Sequence, residues 1–454
     1  MSAIWTSAEV ESATLGKASR PFAANGVSID TRTLKEGDLY IAVKGEHRDG
    51  HDFVGAAFKA KAGAAVVSRR PEGTDGTLLM VADTQRALED LACASRARSG
   101  AKIVAVTGSV GKTTTKELLR LAFAALGPTH ASSGSLNNHW GVPLSLAAMG
   151  REAQFGVFEI GMNHMGEIHA LVPFVRPHVA LVTSVAAAHL EFFGSCEAIA
   201  DAKSEIFEGI APGGAALIPA DNPYAERLIA RAKQCHVARI LSFGAKPGSD
   251  AHLLAYDENG EGARVKADIL GLPVEFRLGA PGRHIADNAL GALLAVADAE
   301  GDVLNAAAAL KEFSALKGRG ARFTANGVEV IDESYNANPA SMAAALALLA
   351  NASGRRIAVL GDMLEMGPDA PAHHAGLAAA IKAARVDLVF LCGPLMHALW
   401  DALPAECRAA YAPTSAELAP EVASALNSGD TVLVKGSNGS RMSVIMDALK
   451  ARKG

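Results

Sequence analysis

The stretch Lys102-Ile-Val-Ala-Val-Thr-Gly-Ser-Val-Gly-Lys-Thr-Thr114 decides how the middle of this chain folds. Its first six residues are mostly apolar, which predicts a buried strand, and from Lys112 onward apolar side chains recur at helical spacing. A glycine-rich turn joins the two segments. Strand, glycine-rich turn and helix in this order form the context that a phosphate-binding loop requires.

The chemistry of such a loop follows from its residue types. Gly108 and Gly111 let backbone N–H groups turn toward phosphate oxygens, and the helix behind them adds a partial positive charge. Lys112 reaches the outer phosphates, and the Thr113 hydroxyl is a ligand type for Mg²⁺. Val106 stands where the full pattern opens with a glycine, so the loop is a variant. The predicted nucleotide-binding residues of the loop are Thr107, Gly108, Ser109, Val110, Gly111, Lys112, Thr113 and Thr114.

An adenine nucleotide is favoured over guanine, because the sequence holds no Asn-Lys-x-Asp segment of the kind that reads guanine. The next apolar strand, Phe155 to Ile160, contains Glu159, whose carboxylate suits a metal ion bound to phosphate. A buried glutamate paired with a basic residue is an equally good interpretation of Glu159. For the loop itself, the alternative is a glycine-rich turn with a chance lysine.

Length and composition predict a folded protein of several domains. The chain has 454 residues, and a typical domain has roughly 150, which gives about three domains. Hydrophobic residues make up 50% and charged residues 20%, which excludes disorder. Lys and Arg number 43 against 48 Asp and Glu, so the net charge of -5 provides no general attraction for nucleic acid.

Targeting and redox signals favour the cytoplasm. The first residues show neither a basic leader nor a long apolar run, and apolar stretches elsewhere fall short of the roughly 20 residues that span a bilayer, so no membrane insertion is expected. The five cysteines are an odd number without a C-x-x-C pair, which indicates a reducing compartment and no zinc site.

The pattern of strands and helices predicts an α/β chain of three domains. Residues 1–100 hold short β-like pieces, residues 101–318 alternate strands and helices as in a parallel phosphate-loop sheet, and residues 319–454 are Rossmann-like. Between Asp250 and Ala280 short alternating pieces surround Asn259-Gly260, a hairpin signal, which predicts an antiparallel appendage to the middle domain.

A series of further motifs follows the loop in order: NNHWGVP (137–143), EIGMNHMGEI (159–168), AHLEFFGS (188–195), DESYNANPASM (332–342), GDMLEMG (361–367) and KGSNGSRM (435–442). In these motifs the chain resembles the Mur ligases, the ATP-dependent amide-forming enzymes of peptidoglycan synthesis, over essentially its whole length. The resemblance implies an ATP- and Mg²⁺-dependent ligase whose three domains open and close.

Within that family, YNANP and the N-terminal DTRTLKEGDLYIAVKGEHRDGHDF are similar to the member that adds D-alanyl-D-alanine to UDP-N-acetylmuramoyl tripeptide. The motifs do not distinguish a tripeptide ending in meso-diaminopimelate from one ending in lysine. A sister Mur ligase or a folylpolyglutamate synthase-like ligase is the alternative within the superfamily, and a regulatory ATPase is the alternative outside it. A monomer is expected.

The resemblance also implies roles for individual residues. The catalytic set is Lys112, Glu159, His189, Lys203 and Arg319, and the metal ligands are Thr113, Glu159, His189 and Lys203. Lys203 matches a lysine that is carbamylated in the family. Without the resemblance, His189 would be a structural histidine and Lys203 a solvated surface lysine.

The remaining implied contacts lie on all three domains. Further nucleotide contacts are Asn288, Arg319, Asp332, Tyr335 and Asn336. Substrate contacts are Thr31, Arg32, Lys44, Gly45, Asp49, Gly50, His51, Asn137, Asn138, His139, Asn336, Ala337, Asn338, Lys435 and Ser437. A helix cap is the alternative for Asn288, a solvated linker arginine is the alternative for Arg319, and Pro339 is expected to start a helix.

Overall fold

The computed structural model describes residues 3–258 and 262–451. The predicted hairpin turn at Asn259-Gly260 lies outside the described residues. Three α/β regions follow one another along the chain, each with its own main sheet and apolar core. Within the two described ranges, each helix is too short or too polar to span a bilayer.

The first region is built on a five-stranded sheet in the order β2-β7-β6-β5-β4. The strands at Leu39–Ile41 and Ala64–Val67 are apolar along their whole length and fully buried, and they are among the short β-like pieces expected in this region. The strands are β1 (Trp5–Thr6), β2 (Lys17–Ala18), β3 (Ala23–Ala24), β4 (Val27–Ser28), β5 (Leu39–Ile41), β6 (Ala64–Val67) and β7 (Leu78–Met80), where β1 and β3 form a separate pair. The helices are α1 (Ser7–Thr14), α2 (Val54–Lys59), α3 (Thr84–Arg98) and a 3-10 helix at Gly50–Phe53.

The middle region has a nine-stranded sheet in the order β16-β15-β14-β13-β12-β11-β8-β10-β9. Apolar cores cover both of its faces. The strands are β8 (Lys102–Thr107), β9 (Thr129–Ala131), β10 (Phe155–Glu159), β11 (Val179–Val182), β12 (Ala215–Pro219), β13 (Arg239–Gly244), β14 (Ala251–Glu258), β15 (Ala263–Ile269) and β16 (Leu272–Leu278). The helices are α4 (Lys112–Ala124), α5 (Gly141–Ala147), α6 (Glu167–Val175), α7 (Leu190–Phe193), α8 (Cys196–Ser204), α9 (Ala225–Gln234), α10 (Arg283–Asp298) and α11 (Val303–Ala309), with 3-10 helices at Glu205–Gly209 and Leu310–Glu312.

The antiparallel pairing predicted between Asp250 and Ala280 is confirmed in strands β14 to β16, but these strands continue the main sheet and do not form a separate appendage. Strand β14 pairs in parallel with β13, through Phe243 with Ala251 and Gly244 with His252. Strands β15 and β16 then extend the same sheet by antiparallel pairing. Their inward side chains belong to the core that α4 and α10 cover, because the sheet continues without a break.

Strand order places the phosphate-binding loop at the centre of this sheet. Strand β8 lies between β10 and β11, and both neighbours run parallel to it. The carboxyl ends of the three strands therefore meet at one edge, where Thr107, Glu159 and Val182 end them. Ligands of open parallel sheets bind at such an edge.

The third region has a six-stranded sheet in the order β17-β18-β22-β19-β20-β21, parallel except for β17. Helices and apolar cores cover both faces, as the Rossmann-like prediction requires. The strands are β17 (Ala321–Ala325), β18 (Val328–Glu333), β19 (Arg356–Gly361), β20 (Leu388–Cys392), β21 (Arg408–Ala412) and β22 (Thr431–Lys435). The helices are α12 (Pro339–Ala350), α13 (Ala370–Ala375), α14 (Leu377–Ala383), α15 (His397–Ala402), α16 (Ser415–Ala425) and α17 (Ser443–Ala451), with 3-10 helices at Pro394–Met396, Ala405–Cys407 and Asn438–Ser440.

Candidate active site

A cavity of about 270 Å³ opens above the phosphate-binding loop, between the middle and third regions. Fourteen of the predicted nucleotide, catalytic and substrate residues line it, from both sides of residue 318. Those residues are Ser109, Val110, Gly111, Lys112, Thr114, Asn137, Glu159, His189, Arg319, Tyr335, Asn336, Ala337, Asn338 and Lys435. One cavity thus collects residues that lie as much as 326 positions apart in the sequence, from Ser109 to Lys435.

The loop backbone takes a shape that requires glycine. Gly108 has φ +154° and Gly111 has φ +87°, a range that side-chain-bearing residues rarely adopt. A Cβ atom on Gly108 would lie 1.8 Å from Thr183 Oγ1. The Thr183 hydroxyl donates to the carbonyl of Val110 at 2.5 Å, and the Val110 N–H donates to Ser184 Oγ at 3.1 Å. The residues after β11 therefore hold the loop in place.

Lys112 makes the cavity cationic. Its ammonium donates to the carbonyl of Gly108 at 2.7 Å, across the turn of the loop. Desolvation in the cleft lowers the pKa of Lys112, the carboxylate of Glu159 opposes this, and the charge of Arg319 lowers it further. A bound anion would relieve the mutual repulsion of these two cations.

Glu159 is fully buried and has neutral partners on both oxygens. Its Oε2 accepts from the Thr113 hydroxyl at 2.8 Å, and its Oε1 accepts from the amide of Asn137 at 2.6 Å. The alternative in which Glu159 pairs with a basic residue is therefore not what the structure contains. A threonine hydroxyl beside a carboxylate is an oxygen donor pair that suits Mg²⁺.

No group of three or more His, Cys, Asp and Glu side chains is placed to hold a metal ion within residues 3–258 and 262–451. The oxygen donors for a metal ion at the loop are thus Thr113 and Glu159. The other two predicted metal ligands, His189 and Lys203, lie around Lys112. The charges of Lys112 and Lys203 both act on His189, which places these three side chains in one electrostatic cluster. The residues present therefore fit one Mg²⁺ at Thr113 and Glu159 without further change.

Lys203 is buried, with 2% of its surface exposed, and is not the solvated lysine that its sequence context alone would suggest. Desolvation and the nearby charge of Lys112 hold the pKa of Lys203 well below its usual range. Burial likewise lowers the pKa of His189, whose Nδ1 faces the Glu365 carboxylate of the third region. Burial therefore disfavours the charged form of both side chains.

The third region contributes a second set of cations. The Arg319 guanidinium stacks 3.9 Å from the centre of the Tyr335 ring and donates to Ser135 Oγ at 3.2 Å. Lys435 is buried and donates to the carbonyl of Asn336 at 2.9 Å and to Glu333 at 3.3 Å. Arg319 therefore bridges the linker to the middle region.

Several predicted residues take part in local structure. The Asp332 carboxylate accepts from the N–H of Gly318 at 3.0 Å, so it holds the linker next to Arg319. Asn338 caps α12, accepting from the N–H of Ser341 at 2.8 Å, and Pro339 starts that helix as expected. Ser437 Oγ accepts from the N–H of Leu364 at 2.9 Å.

Asn288 lies directly beneath the loop. Helix α10 begins at Arg283 and is capped by Gly282, so the interpretation of Asn288 as a helix cap is wrong. Its side chain is buried, and a Cβ atom on Gly111 would lie 2.8 Å from its Nδ2. The amide thus contacts the turn that is predicted to hold phosphate.

A second cavity, of about 710 Å³, lies between the first region and the start of α5. Predicted substrate residues that line it are Thr31, Arg32, Gly45, Gly50, Asn138 and His139. Lys44, Asp49 and His51 are not in that lining. Asp49 Oδ1 instead accepts from the backbone N–H of His51 at 2.9 Å and pairs with the His51 ring at 2.6 Å, which folds the turn around Gly50.

The lining residues that were not predicted include His284 and Glu333 in the first cavity and Trp140 in the second. His284 lies in the same GRHIADNAL segment as Asn288, and Glu333 follows Asp332, so both were adjacent to recognised positions. Trp140 follows His139, and its ring lies 4.6 Å from the ring of His139. A large aromatic side chain beside a predicted substrate loop is the signal that would have found it.

Comparison with known proteins agrees with this arrangement. Three family models match consecutive parts of the chain: the Mur ligase family catalytic domain at residues 24–96, the Mur ligase middle domain at 106–296, and the Mur ligase glutamate ligase domain at 318–438. A UDP-N-acetylmuramoyl-tripeptide–D-alanyl-D-alanine ligase of Rickettsia prowazekii is 33% identical over 446 residues, which is 98% of this chain and 99% of the relative. The chain belongs to the Mur ligase family.

Solved structures extend the likeness to the whole architecture. A MurF structure from Acinetobacter baumannii is 30% identical, covers 99% of both chains and superposes with a TM-score of 0.86. A Thermotoga maritima MurF ligase in complex with ADP is 25% identical, covers 94% of this chain and 97% of its own, and has a TM-score of 0.77. This Mur ligase is thus an ATP-dependent ligase of three α/β domains, as the sequence predicted.

Proposed function

We propose that this Mur ligase joins D-alanyl-D-alanine to UDP-N-acetylmuramoyl tripeptide and converts ATP to ADP and phosphate. One observation carries the proposal: the phosphate-binding loop and Glu159 share a single cavity with Arg319 and Lys435 of the third domain. The names of the Rickettsia and Acinetobacter proteins support these substrates over those of a sister ligase or a folylpolyglutamate synthase. YNANP at 335–339 supports the same choice.

Amide formation needs an activated carboxylate, because oxide is a poor leaving group. An oxygen of the tripeptide's terminal carboxylate attacks the γ-phosphorus of ATP, the bond from that phosphorus to the bridging oxygen breaks, and ADP leaves. The amine of D-alanyl-D-alanine then attacks the acyl carbon, phosphate leaves, and the amine gives up a proton. A cavity lined by two domains can bring the amine to the acyl phosphate, at about 3 to 3.5 Å.

The protein's cations make the first step feasible. Carboxylate and triphosphate are both anionic, and their approach is opposed by repulsion. Lys112 and Arg319 both line the cavity, and the charge of Arg319 lowers the pKa of Lys112. Lys435, which is buried on the third-domain side, also feels the charge of Arg319. Fixed cations of this kind stabilise charge that develops on the transferring phosphoryl group.

Thr113 and Glu159 would hold Mg²⁺, and the ion would offset phosphate charge. Glu159 is already oriented for this by the amide of Asn137. His189 and a carbamylated Lys203 would hold a second Mg²⁺. The four protein groups are the ones implied by the resemblance.

Carbamylation of Lys203 has a physical basis in this site. A neutral amine is nucleophilic, and burial beside Lys112 favours the neutral form of Lys203. Its nitrogen attacks the carbon of CO₂, a proton is released, and the product is an anionic carbamate. The carbamate is attracted to Lys112, whereas the ammonium form of Lys203 would be repelled by it. The carbamate also supplies the oxygen ligands that a metal requires.

The second cavity, which Arg32 and His139 both line, would take the UDP-sugar of the substrate. We retain as proposals the domain limits 1–100, 101–318 and 319–454, a monomeric state and a cytoplasmic location. All five cysteines are free, which agrees with a reducing compartment.

Phosphate release in the presence and absence of D-alanyl-D-alanine tests the proposed function. ATP and a UDP-linked tripeptide, ending in meso-diaminopimelate in one assay and in lysine in the other, are supplied with the full chain. Phosphate is expected to accumulate with the dipeptide, in equal amount to the amide measured by mass spectrometry. Steady phosphate release without the dipeptide, and no amide with either tripeptide, would instead indicate a regulatory ATPase.

A further inference from the structure

The middle and third domains meet at a histidine and a glutamate. His189 lies just before α7 in the middle domain, and Glu365 lies in the loop after β19 in the third. Nδ1 of His189 and Oε2 of Glu365 form a close hydrogen bond across the boundary. The His189 ring also lines the cavity above the phosphate-binding loop. Glu365 thus contacts Nδ1 of a ring that also lines the cavity.

The backbone on both sides is shaped for this contact. His189 has φ +58° and Glu365 has φ +61°, so two residues with side chains adopt the left-handed conformation, which is uncommon. The N–H of Glu191 donates to the carbonyl of Glu365 at 3.1 Å. Leu190 packs against the apolar core of the third domain. The packing around His189 and Glu365 therefore holds both residues in this conformation.

The hydrogen bond to Glu365 determines which ring nitrogen of His189 carries hydrogen and which can bind a cation. A carboxylate only accepts hydrogen bonds, so Nδ1 of His189 carries the hydrogen in this pair. Nε2 is left as the nitrogen that can bind a ligand in the cavity. Metal-binding histidines generally donate their other ring N–H to a carboxylate or carbonyl, which fixes the ring's tautomer and direction. In this protein the carboxylate comes from a different domain.

We propose that Glu365 is a positioning residue that orients His189 across the domain boundary, so that His189 presents Nε2 to a divalent cation only while the third domain is docked. The proposal deepens the proposed function, because it rests on His189 as a metal ligand. It makes the metal site dependent on domain closure, so phosphoryl transfer is coupled to the arrival of the domain that carries the dipeptide.

The test is titration of the ADP-loaded full chain with Mn²⁺, followed by electron paramagnetic resonance of the free ion. Wild type is compared with Glu365→Ala, Glu365→Gln, His189→Ala and the control Glu421→Ala, which alters an exposed glutamate of α16 outside the cavity. Removal of the carboxylate that contacts a metal-binding histidine is expected to lower the affinity for the Mn²⁺ bound by that histidine by about 10- to 100-fold. Glu365→Gln keeps an oxygen that accepts from Nδ1, so a smaller loss is expected. Glu421→Ala is expected to match wild type.

Two results would overturn the proposal. Wild-type Mn²⁺ affinity in His189→Ala would remove the ligand on which it rests, and wild-type affinity in Glu365→Ala or Glu365→Gln would remove the positioning role. Glu365→Gln retains the size of the side chain and keeps the test decisive if Glu365→Ala fails to fold. Since the titration involves no amide formation, a chain that binds Mn²⁺ as expected but makes no amide would contradict the proposed function alone.

Discussion

Replacement of Gly111 by alanine tests the phosphate-binding loop through its backbone. Gly111 has φ +87°, and a Cβ atom there would lie 2.8 Å from Nδ2 of Asn288. Gly248 is a matched control in the same domain, because its φ is also +87° and a Cβ atom there meets nothing within 4 Å. The two substitutions impose the same backbone strain and differ in the contact with Asn288 and in proximity to the nucleotide.

The expected magnitudes follow from that difference. Left-handed backbone costs a residue with a Cβ atom about 1–2 kcal/mol, so both variants are expected to lose that much stability. In Gly111→Ala, relief of the contact with Asn288 also turns a backbone N–H away from phosphate. A hydrogen bond to a charged group contributes about 1.5–3 kcal/mol, which corresponds to about a 10- to 150-fold loss in kcat/KM for ATP. Gly248→Ala is expected to keep kcat/KM within about twofold, or about 0.4 kcal/mol of barrier, because a Cβ atom there meets nothing within 4 Å.

The assay measures ADP release at saturating tripeptide and dipeptide over a range of ATP concentrations, with thermal unfolding of each variant in parallel. Calorimetric titration with ADP reports nucleotide affinity independently of turnover. If Gly111→Ala and Gly248→Ala retain the same kcat/KM for ATP, the loop at 108–111 does not hold the phosphates and the reasoning fails.

Three further predictions concern Lys112, Lys203 and His130. Lys112→Ala is expected to unfold at the wild-type temperature and to lose ligation; activity within about tenfold of wild type, or about 1.4 kcal/mol of barrier, would refute its role at phosphate. Lys203→Ala is expected to lose activity that acetate or bicarbonate partly restores, and an active Lys203→Arg would contradict carbamylation, since arginine does not form the carbamate. Burial lowers the pKa of His130 to about 4, so the unfolded chain takes up a proton near pH 6.5 while the folded chain does not. Stability is therefore expected to fall by about 2 kcal/mol between pH 7 and pH 5, and guanidinium unfolding should show this slope reduced in His130→Gln.

The parts of the fold that depend on neighbouring residues could be predicted from the sequence. The strand Lys102–Thr107 and the helix from Lys112 are recognisable because apolar spacing and glycine positions are local properties. The same holds for the apolar strand Ala64–Val67. The cap of α12 by Asn338 could also be predicted, because Asn338, Pro339 and Ser341 have the spacing of a capping residue, a first helical proline and a third helical residue that completes the cap.

Contacts between distant segments could not be predicted in this way. The pairing of β13 with β14 depends on where the edge of the sheet lies, which no local pattern reports. His189 and Glu365 are 176 positions apart, and only the docking of two domains brings them together. Lys203 has the surroundings of a surface lysine in the sequence, yet its helix faces Lys112 across a buried site. Family resemblance supplied a role for Lys203 that spacing alone did not.

Transfer of oxygen from the tripeptide to phosphate tests the central claim most directly. If the terminal carboxylate attacks the γ-phosphorus, one of its oxygens remains bound to phosphorus when the dipeptide amine displaces phosphate. A UDP-linked tripeptide whose terminal carboxylate carries the heavy isotope of oxygen is therefore expected to yield phosphate with one heavy oxygen for each amide formed, as measured by mass spectrometry. Amide formation accompanied by phosphate without heavy oxygen would contradict the acyl-phosphate route.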